Sequence, residues 1–220
     1  MQILNEIEII SKLKNAIIEG FSEEAVDLSK IAVESKIDLK HLLNEAIMQG
    51  AEEVGKKYED AEYFLGDMLL AADAINDSME IIRPKMKGGQ QEAMGKVLIG
   101  TPEGDLHDIG KSLIIALLNG QGVEVIDLGV DIPPEEFLEA AKKEHPDVIG
   151  ISGLLTFSIS KMIETVILLK GEGIKAKIIV GGGILSEESC KQIGADDWTK
   201  DGWEGVKKIK KLLEGRKNAI

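Results

Sequence analysis

The sequence predicts an α/β protein. A four-helix bundle forms the N-terminal part, and a flavodoxin-like (Rossmann-type), doubly wound, five-stranded parallel sheet forms the C-terminal part. Three observations predict it. Up to residue 86, apolar residues recur at helical spacing with no strand among them. Past residue 95, short and continuously apolar runs alternate with helical segments. Between the two patterns lies the polar, glycine-containing stretch Met86-Lys87-Gly88-Gly89-Gln90-Gln91-Glu92. The expected division is 1–86, a linker over 87–95, and 96–220.

Each helix has its own apolar stripe. Ile7, Ile10, Leu13 and Ile17 mark the first, and Ala25, Leu28 and Ile31 the second. Leu39, Leu42, Leu43, Ala46, Ile47 and Val54 mark a long third, and Phe64, Met68, Leu69, Ala72, Ile75 and Met79 the fourth. Breaks fall at Gly20-Phe21-Ser22, Lys36-Ile37-Asp38 and Glu59-Asp60-Ala61, with Ser22 and Asp38 placed to cap the helices that follow. Beyond the linker, strands are expected at 96–100, 123–127, 148–152, 177–180 and about 195–198. Helices are expected near 109–120, 134–144, 159–171, 187–193 and 203–214. Pro133-Pro134 followed by two glutamates suits a helix start.

The 220 residues carry a net charge of −13, which argues against nucleic acid or an anionic membrane as partner. No apolar run approaches the roughly 18 residues of a membrane-spanning helix. The N-terminus mixes charge into its apolar stretch, unlike a secretory signal. The one cysteine, Cys190, excludes an intramolecular disulfide and a multi-cysteine metal site. It fits a buried helix residue in a reducing, cytoplasmic protein.

Ligands of doubly wound sheets sit beyond the carboxyl ends of the strands. After the first strand stands Gly104-Asp105-Leu106-His107-Asp108-Ile109-Gly110-Lys111. A carboxylate beside an imidazole can hold one ring nitrogen and make the other a better metal ligand. On its own the pair also reads as a loop histidine capping a helix. After the third strand, Ser152-Gly153-Leu154-Leu155-Thr156-Phe157-Ser158 supplies three hydroxyls, each of which could equally cap the next helix. After the fourth, Gly181-Gly182-Gly183 lets backbone approach a ligand, or simply forms a flexible turn.

Together the three loops are more specific. Asp-x-His-x-x-Gly ends at Gly110, Ser-x-Leu starts at Ser152, and the glycine pair starts at Gly181. This resembles the cobalamin-binding signature of methionine synthase, the adenosylcobalamin mutases and the corrinoid proteins of methyltransferase systems. Gly55-Lys56-Lys57-Tyr58-Glu59-Asp60-Ala61-Glu62-Tyr63-Phe64-Leu65 is similar to the helical cap of methionine synthase, which mutases lack. The resemblance covers nearly the whole chain. It points to the small corrinoid subunits of methylamine, methanol and methoxyarene methyltransferases.

The resemblance implies a corrinoid (cobalamin) bound base-off, with His107 as the lower axial ligand of cobalt. Asp105 would hold the other ring nitrogen and Ser158 would complete the triad. The segment Gly104, Asp105, Leu106, His107, Asp108, Ile109 and Gly110 would lie beneath the corrin. Leu154 belongs to the second motif, Ser152 and Thr156 would bond the displaced base, and Gly181, Gly182 and Gly183 would line the nucleotide tail. Tyr58, where the family enzyme has phenylalanine, and Leu65 would shelter the cobalt–methyl bond, unless they are simply bundle core. The implied activity is that of a carrier, not of a stand-alone catalyst. Cobalt(I) accepts a methyl group from a substrate-specific methyltransferase. Methyl-cobalt(III) then yields it to an acceptor methyltransferase serving a thiol or a tetrahydropterin/tetrahydrofolate. A reductive activator is the third expected partner.

Rival motifs are weaker. Gly110-Lys111-Ser112 looks like the end of a P-loop, but Asp105 stands where its first glycine belongs. The spacing of Gly100 and Gly104 does not suit a nicotinamide fingerprint, and a receiver aspartate is replaced by Ser152. The alternative function is a cobalamin-binding regulator or sensor. Such sensors usually append a DNA-binding domain, for which this chain has no room.

Overall fold

The computed structural model describes residues 5–86 and 94–217, so positions 87–93 of the expected linker lie outside the described residues. The chain falls into two compact units. One is Met1–Glu92 with Ala116–Gly122, and the other is Ala93–Ile115 with Val123–Ile220.

In the helical unit, α1 (Glu6–Ile18) begins at a reciprocal cap. Asn5 Oδ1 accepts the Glu8 N–H at 2.9 Å, and the Glu8 carboxylate accepts the Asn5 N–H at 3.0 Å. Helix α2 (Ser22–Glu34) departs from expectation at its start. Ser22 is the first helical residue, not the cap, and its hydroxyl donates to Asp77 on α5 (Leu65–Ile82). A nearby carboxylate is a better partner than the weak cap it replaces. Asp38 does cap, accepting the Lys40 N–H at 2.9 Å. The helix that follows is one rod in three pieces: α3 (Leu39–Leu42), a π turn (Leu43–Met48) and α4 (Gln49–Glu59). The doublets Leu42-Leu43 and Ala46-Ile47 stay buried through the wider turn, so their spacing does not betray it.

Leu13, Ile17, Ile47, Met68 and Ile75 form the centre of this unit, each fully buried. Three expected stripe residues do not join them: Ile7, Ile31 and Phe64 are exposed, Phe64 by 72%. Phe64 stands just before α5, so helical periodicity does not govern its direction. Tyr63 ties the same loop to α1 by donating its hydroxyl to the Ile18 carbonyl at 2.9 Å.

The second unit is a parallel sheet in the order β2-β1-β3-β4-β5. Its strands are β1 (Lys96–Gly100), β2 (Glu124–Asp127), β3 (Val148–Ser152), β4 (Lys177–Gly181) and β5 (Asp197–Thr199). The helices α6 (Ile109–Gly120), α7 (Pro134–Glu144), α8 (Ser158–Gly171), α9 (Glu187–Ile193) and α10 (Gly202–Lys217) alternate with them. Continuous apolar strands need cover on both faces. Leu98, Ile149, Ile151 and Val180 are fully or almost fully buried, packed with Phe137 of α7 and Met162 and Leu169 of α8. Gly100 makes room for the Phe137 ring, whose Cζ would lie 2.7 Å from an added Cβ. Cys190 is buried on α9, and burial pushes its thiol up.

Chain order reverses between β1 and β3, which lie side by side with Leu98 opposite Ile149. The loops after these two strands therefore emerge together at the switch point. Among the described residues, no helix is long and apolar enough to cross a membrane.

The β4 edge is clasped by Asp196. Its carboxylate accepts the Ile178 N–H at 2.8 Å and the Lys177 ammonium at 3.0 Å. Partial burial pushes the carboxyl up, but these two partners outweigh it and hold it below its ordinary value. A lowered folded value means that the contribution is complete above the ordinary carboxylate range and fades as pH falls through the folded one. Asp196→Asn is expected to cost about 1 kcal/mol at neutral pH. In thermal melts, its deficit against wild type should shrink below about pH 4.

Candidate functional site

The loop after β1 and the loop after β3 meet around one carboxylate. Asp105 is fully buried. Its Oδ1 accepts the backbone N–H of His107 at 3.0 Å and lies 2.7 Å from His107 Nδ1. Its Oδ2 accepts the N–H groups of Leu154 at 2.8 Å and Leu155 at 3.3 Å, and the Ser158 hydroxyl at 2.5 Å. Burial alone would push this carboxyl up. The bonds from Ser158, Leu154 and His107 prevail and hold it well below the usual carboxylate range.

An ionised Asp105 can only accept, so His107 Nδ1 is its donor, and in the neutral imidazole that leaves the lone pair on Nε2. The His107 side chain is 51% exposed, and Nε2 has no partner among the described residues. The ring is thus held on one side and open on the other. Around it lie exposed apolar side chains that a folded domain ordinarily buries. Leu106 is 68% exposed, and Ile109, Leu154, Leu155 and Phe157 are also open. Gly104 has φ 80°, and an added Cβ would stand 2.5 Å from Phe157 Cζ, so glycine is needed there twice over. Asp108 accepts the Ser112 N–H at 2.7 Å, and Ile109 and Gly110 open α6 with exposed side faces.

A second feature lies behind the strand ends. A narrow cleft is walled by Ile99, Ile114, Ile151, Ile179 and Ile209, with Gly150, Gly181 and Gly205. Its polar residues are Lys111, Ser152 and Thr199. Lys111 is nearly fully buried and bound to Asp127 at 2.5 Å, and Thr199 Oγ1 is engaged with Asp201 and Glu204. The Ser152 hydroxyl has no partner among the described residues. The surface that the cleft exposes is apolar, with Ser152 in its wall.

The remaining expected residues separate. Gly181 lines the cleft, whereas Gly182, Gly183 and Thr156 do not. Gly182 serves a different close approach from the one expected. Its φ is 143°, and an added Cβ would fall 1.8 Å from the Gly153 carbonyl oxygen. Thr156 is exposed. Tyr58 is half-buried in the last turn of α4, and Leu65, the first residue of α5, is 51% exposed. In the sequence, Lys111 reads only as a piece of a rival motif. Phe157 carried a usable signal, a rare aromatic inside the hydroxyl-rich loop.

Residues 95–206 match a family described as B12 binding domain, and residues 9–83 match a second family of that description. A corrinoid protein of Desulfitobacterium hafniense (strain Y51) is 36% identical, over 94% of this chain and 98% of its own length. Trimethylamine corrinoid protein 1 of Methanosarcina acetivorans is 37% identical, over 94% of this chain and 97% of that protein. Among solved structures, a cobalamin-binding protein from Desulfitobacterium hafniense DCB-2 matches with a TM-score of 0.71 and 33% identity. That match covers 92% of this chain and 98% of the other. A chain of the methanol:cobalamin methyltransferase complex of Methanosarcina barkeri matches with a TM-score of 0.84 and 29% identity, covering 97% of this chain and 83% of the other.

The geometry separates two adjacent glycines. Gly182→Ala should cost about 3 kcal/mol or more, through a backbone clash and a forced φ. Gly183→Ala, whose Cβ would touch only Leu154 Cδ1 at 3.6 Å, should stay within about 0.5 kcal/mol of wild type. Urea unfolding of both variants is the check.

Proposed function

We propose that this chain, which belongs to the B12-binding protein family, is a corrinoid methyl carrier of a multi-component methyltransferase system. The observation that carries this reading is the Asp105 socket, which holds His107 by Nδ1 and leaves Nε2 open amid exposed apolar side chains. The residues fit the cofactor. Among the described residues, no three His, Cys, Asp or Glu side chains gather into a metal cage. A cobalt that brings four nitrogens in its own ring needs only one protein nitrogen below it. The apolar side chains of Leu106, Ile109 and Leu154 suit the edge and lower face of such a ring.

In this reading His107 Nε2 would hold the cobalt of a base-off corrinoid. Asp105 fixes the tautomer, and Ser158 fixes Asp105. The cleft takes the displaced base, with Ser152 as its hydrogen-bonding group, and Gly181 gives that base room. Thr156, Gly182 and Gly183 are left to the outer part of the nucleotide tail. On the helical unit, Tyr58 and Leu65 keep the role implied by the resemblance, shelter of the methyl-bearing face.

The bound corrinoid supplies a metal centre that takes up a methyl group and gives it up again. The chain's own residues tune that centre. Asp105 keeps its negative charge beside the imidazole, so Nε2 can be offered as a lone pair. The partners are a substrate-specific methyltransferase that loads the methyl group, an acceptor methyltransferase serving a thiol or a tetrahydropterin/tetrahydrofolate, and a reductive activator, all in the cytoplasm. Relatives named for trimethylamine and for methanol systems support such partners.

The test is reconstitution of the apoprotein with hydroxocobalamin, followed by absorption spectroscopy. Wild type should retain the corrinoid through gel filtration. His107→Ala should bind it about tenfold or more weakly and show a changed oxidised spectrum. A wild type that takes up no corrinoid, or a variant spectrum identical to wild type, sinks the proposal. Methyl transfer from methylamines and methanol, each with its own partner enzyme, then identifies the donor.

A further inference from the structure

We propose that Asp131, in the loop between β2 and α7, is the positioning residue that aims His107. The inference rests on His107 being the cobalt ligand. Asp131 is a non-glycine residue at φ 59°, a conformation that persists where the surroundings impose it. Its side chain and its backbone N–H both engage the segment that carries the histidine. Its Oδ1 accepts the Gly104 N–H at 2.6 Å, and its own N–H donates to the Asp105 carbonyl at 3.1 Å. One residue therefore clamps the peptide groups immediately upstream of His107.

The clamp extends an ordered strip. The Glu103 N–H donates to the Ile132 carbonyl at 2.9 Å, the Ile132 N–H to the Thr101 carbonyl at 3.0 Å, and Pro102 bridges Ile132 in parallel fashion. From the other side, Lys161 of α8 reaches Glu103 at 2.9 Å. The Asp105 side chain is already held by five donors. Those donors set the carboxylate and, through the His107 N–H, the backbone at His107, but they do not hold the Gly104 N–H or the Asp105 carbonyl. The course of the backbone from Gly104 to His107 decides where Nε2 ends up relative to a ring lying over the loop. Asp131 supplies this second constraint from a side chain that is otherwise exposed and takes no part in the socket or the cleft.

A plain turn residue would need only the left-handed conformation, which glycine adopts freely and asparagine tolerates. A positioning residue needs the acceptor as well. Asp131→Gly keeps the first and removes the second, whereas Asp131→Asn keeps both. In the apoprotein, amide hydrogen exchange over residues 103–108 should accelerate about fivefold or more in Asp131→Gly, with β1 unchanged and Asp131→Asn close to wild type. In protein labelled with 15N-histidine, loaded with cobalamin and reduced to cobalt(II), electron paramagnetic resonance reads histidine nitrogen on the metal directly. The histidine-bound signal should fall about fivefold in Asp131→Gly and persist in Asp131→Asn.

Unchanged histidine-bound signal in Asp131→Gly overturns the proposal, whether or not exchange accelerates. So does an asparagine variant as impaired as the glycine variant. A wild type that binds cobalamin but shows no histidine nitrogen on cobalt removes the ligand assignment itself. A wild type that binds none removes the carrier reading.

Discussion

A carboxylate with no exposed surface costs several kcal/mol unless its charge is met. Asp105 is met by five donors from two loops, and that single requirement organises the sheet unit's functional end. The Leu154 and Leu155 amides and the Ser158 hydroxyl can converge on it only if β1 and β3 are neighbours and end together. The strand order satisfies this. It also places Ser158 at the first position of α8, where its hydroxyl turns inward to Asp105. Ionised and fully engaged, Asp105 leaves the imidazole one free nitrogen and one direction in which to offer it.

The two halves of the fold were legible for different reasons. The helical unit showed its stripes because Leu13, Ile17, Ile47, Met68 and Ile75 face one core at regular spacing. The π turn at Leu43–Met48 stayed hidden because its apolar doublets serve the core with or without an extra residue in the turn. Ser22 looked like a cap because local sequence cannot see Asp77, more than fifty positions along the chain. The sheet unit announced itself through uninterrupted apolar strands. Its order, however, depends on which strands pair across long crossovers, a property that no single strand carries.

At the site, the pair Asp105 and His107 was legible because two residues that interact lie two apart in one loop. Ser158 came only from the family resemblance, since a hydroxyl more than fifty positions away shows no local link to Asp105. The cleft was not legible. Ile99, Ile114, Ile151, Ile179 and Ile209 each read as ordinary core, and only the folded sheet reveals that they leave space unfilled. A further role of Gly182 was hidden for a related reason. Its lack of a side chain accommodates the Gly153 carbonyl, a neighbouring strand end that sequence distance conceals.

Three of the five groups that hold Asp105 are backbone amides, those of His107, Leu154 and Leu155. Main-chain donors are indifferent to which side chains hang from them. Positions 154 and 155 can therefore exchange one apolar residue for another while the histidine stays in place. Evolutionary drift can reshape the surface around His107 without dislodging it. A lineage could in this way retune the fit of a cofactor's rim while leaving its chemistry intact.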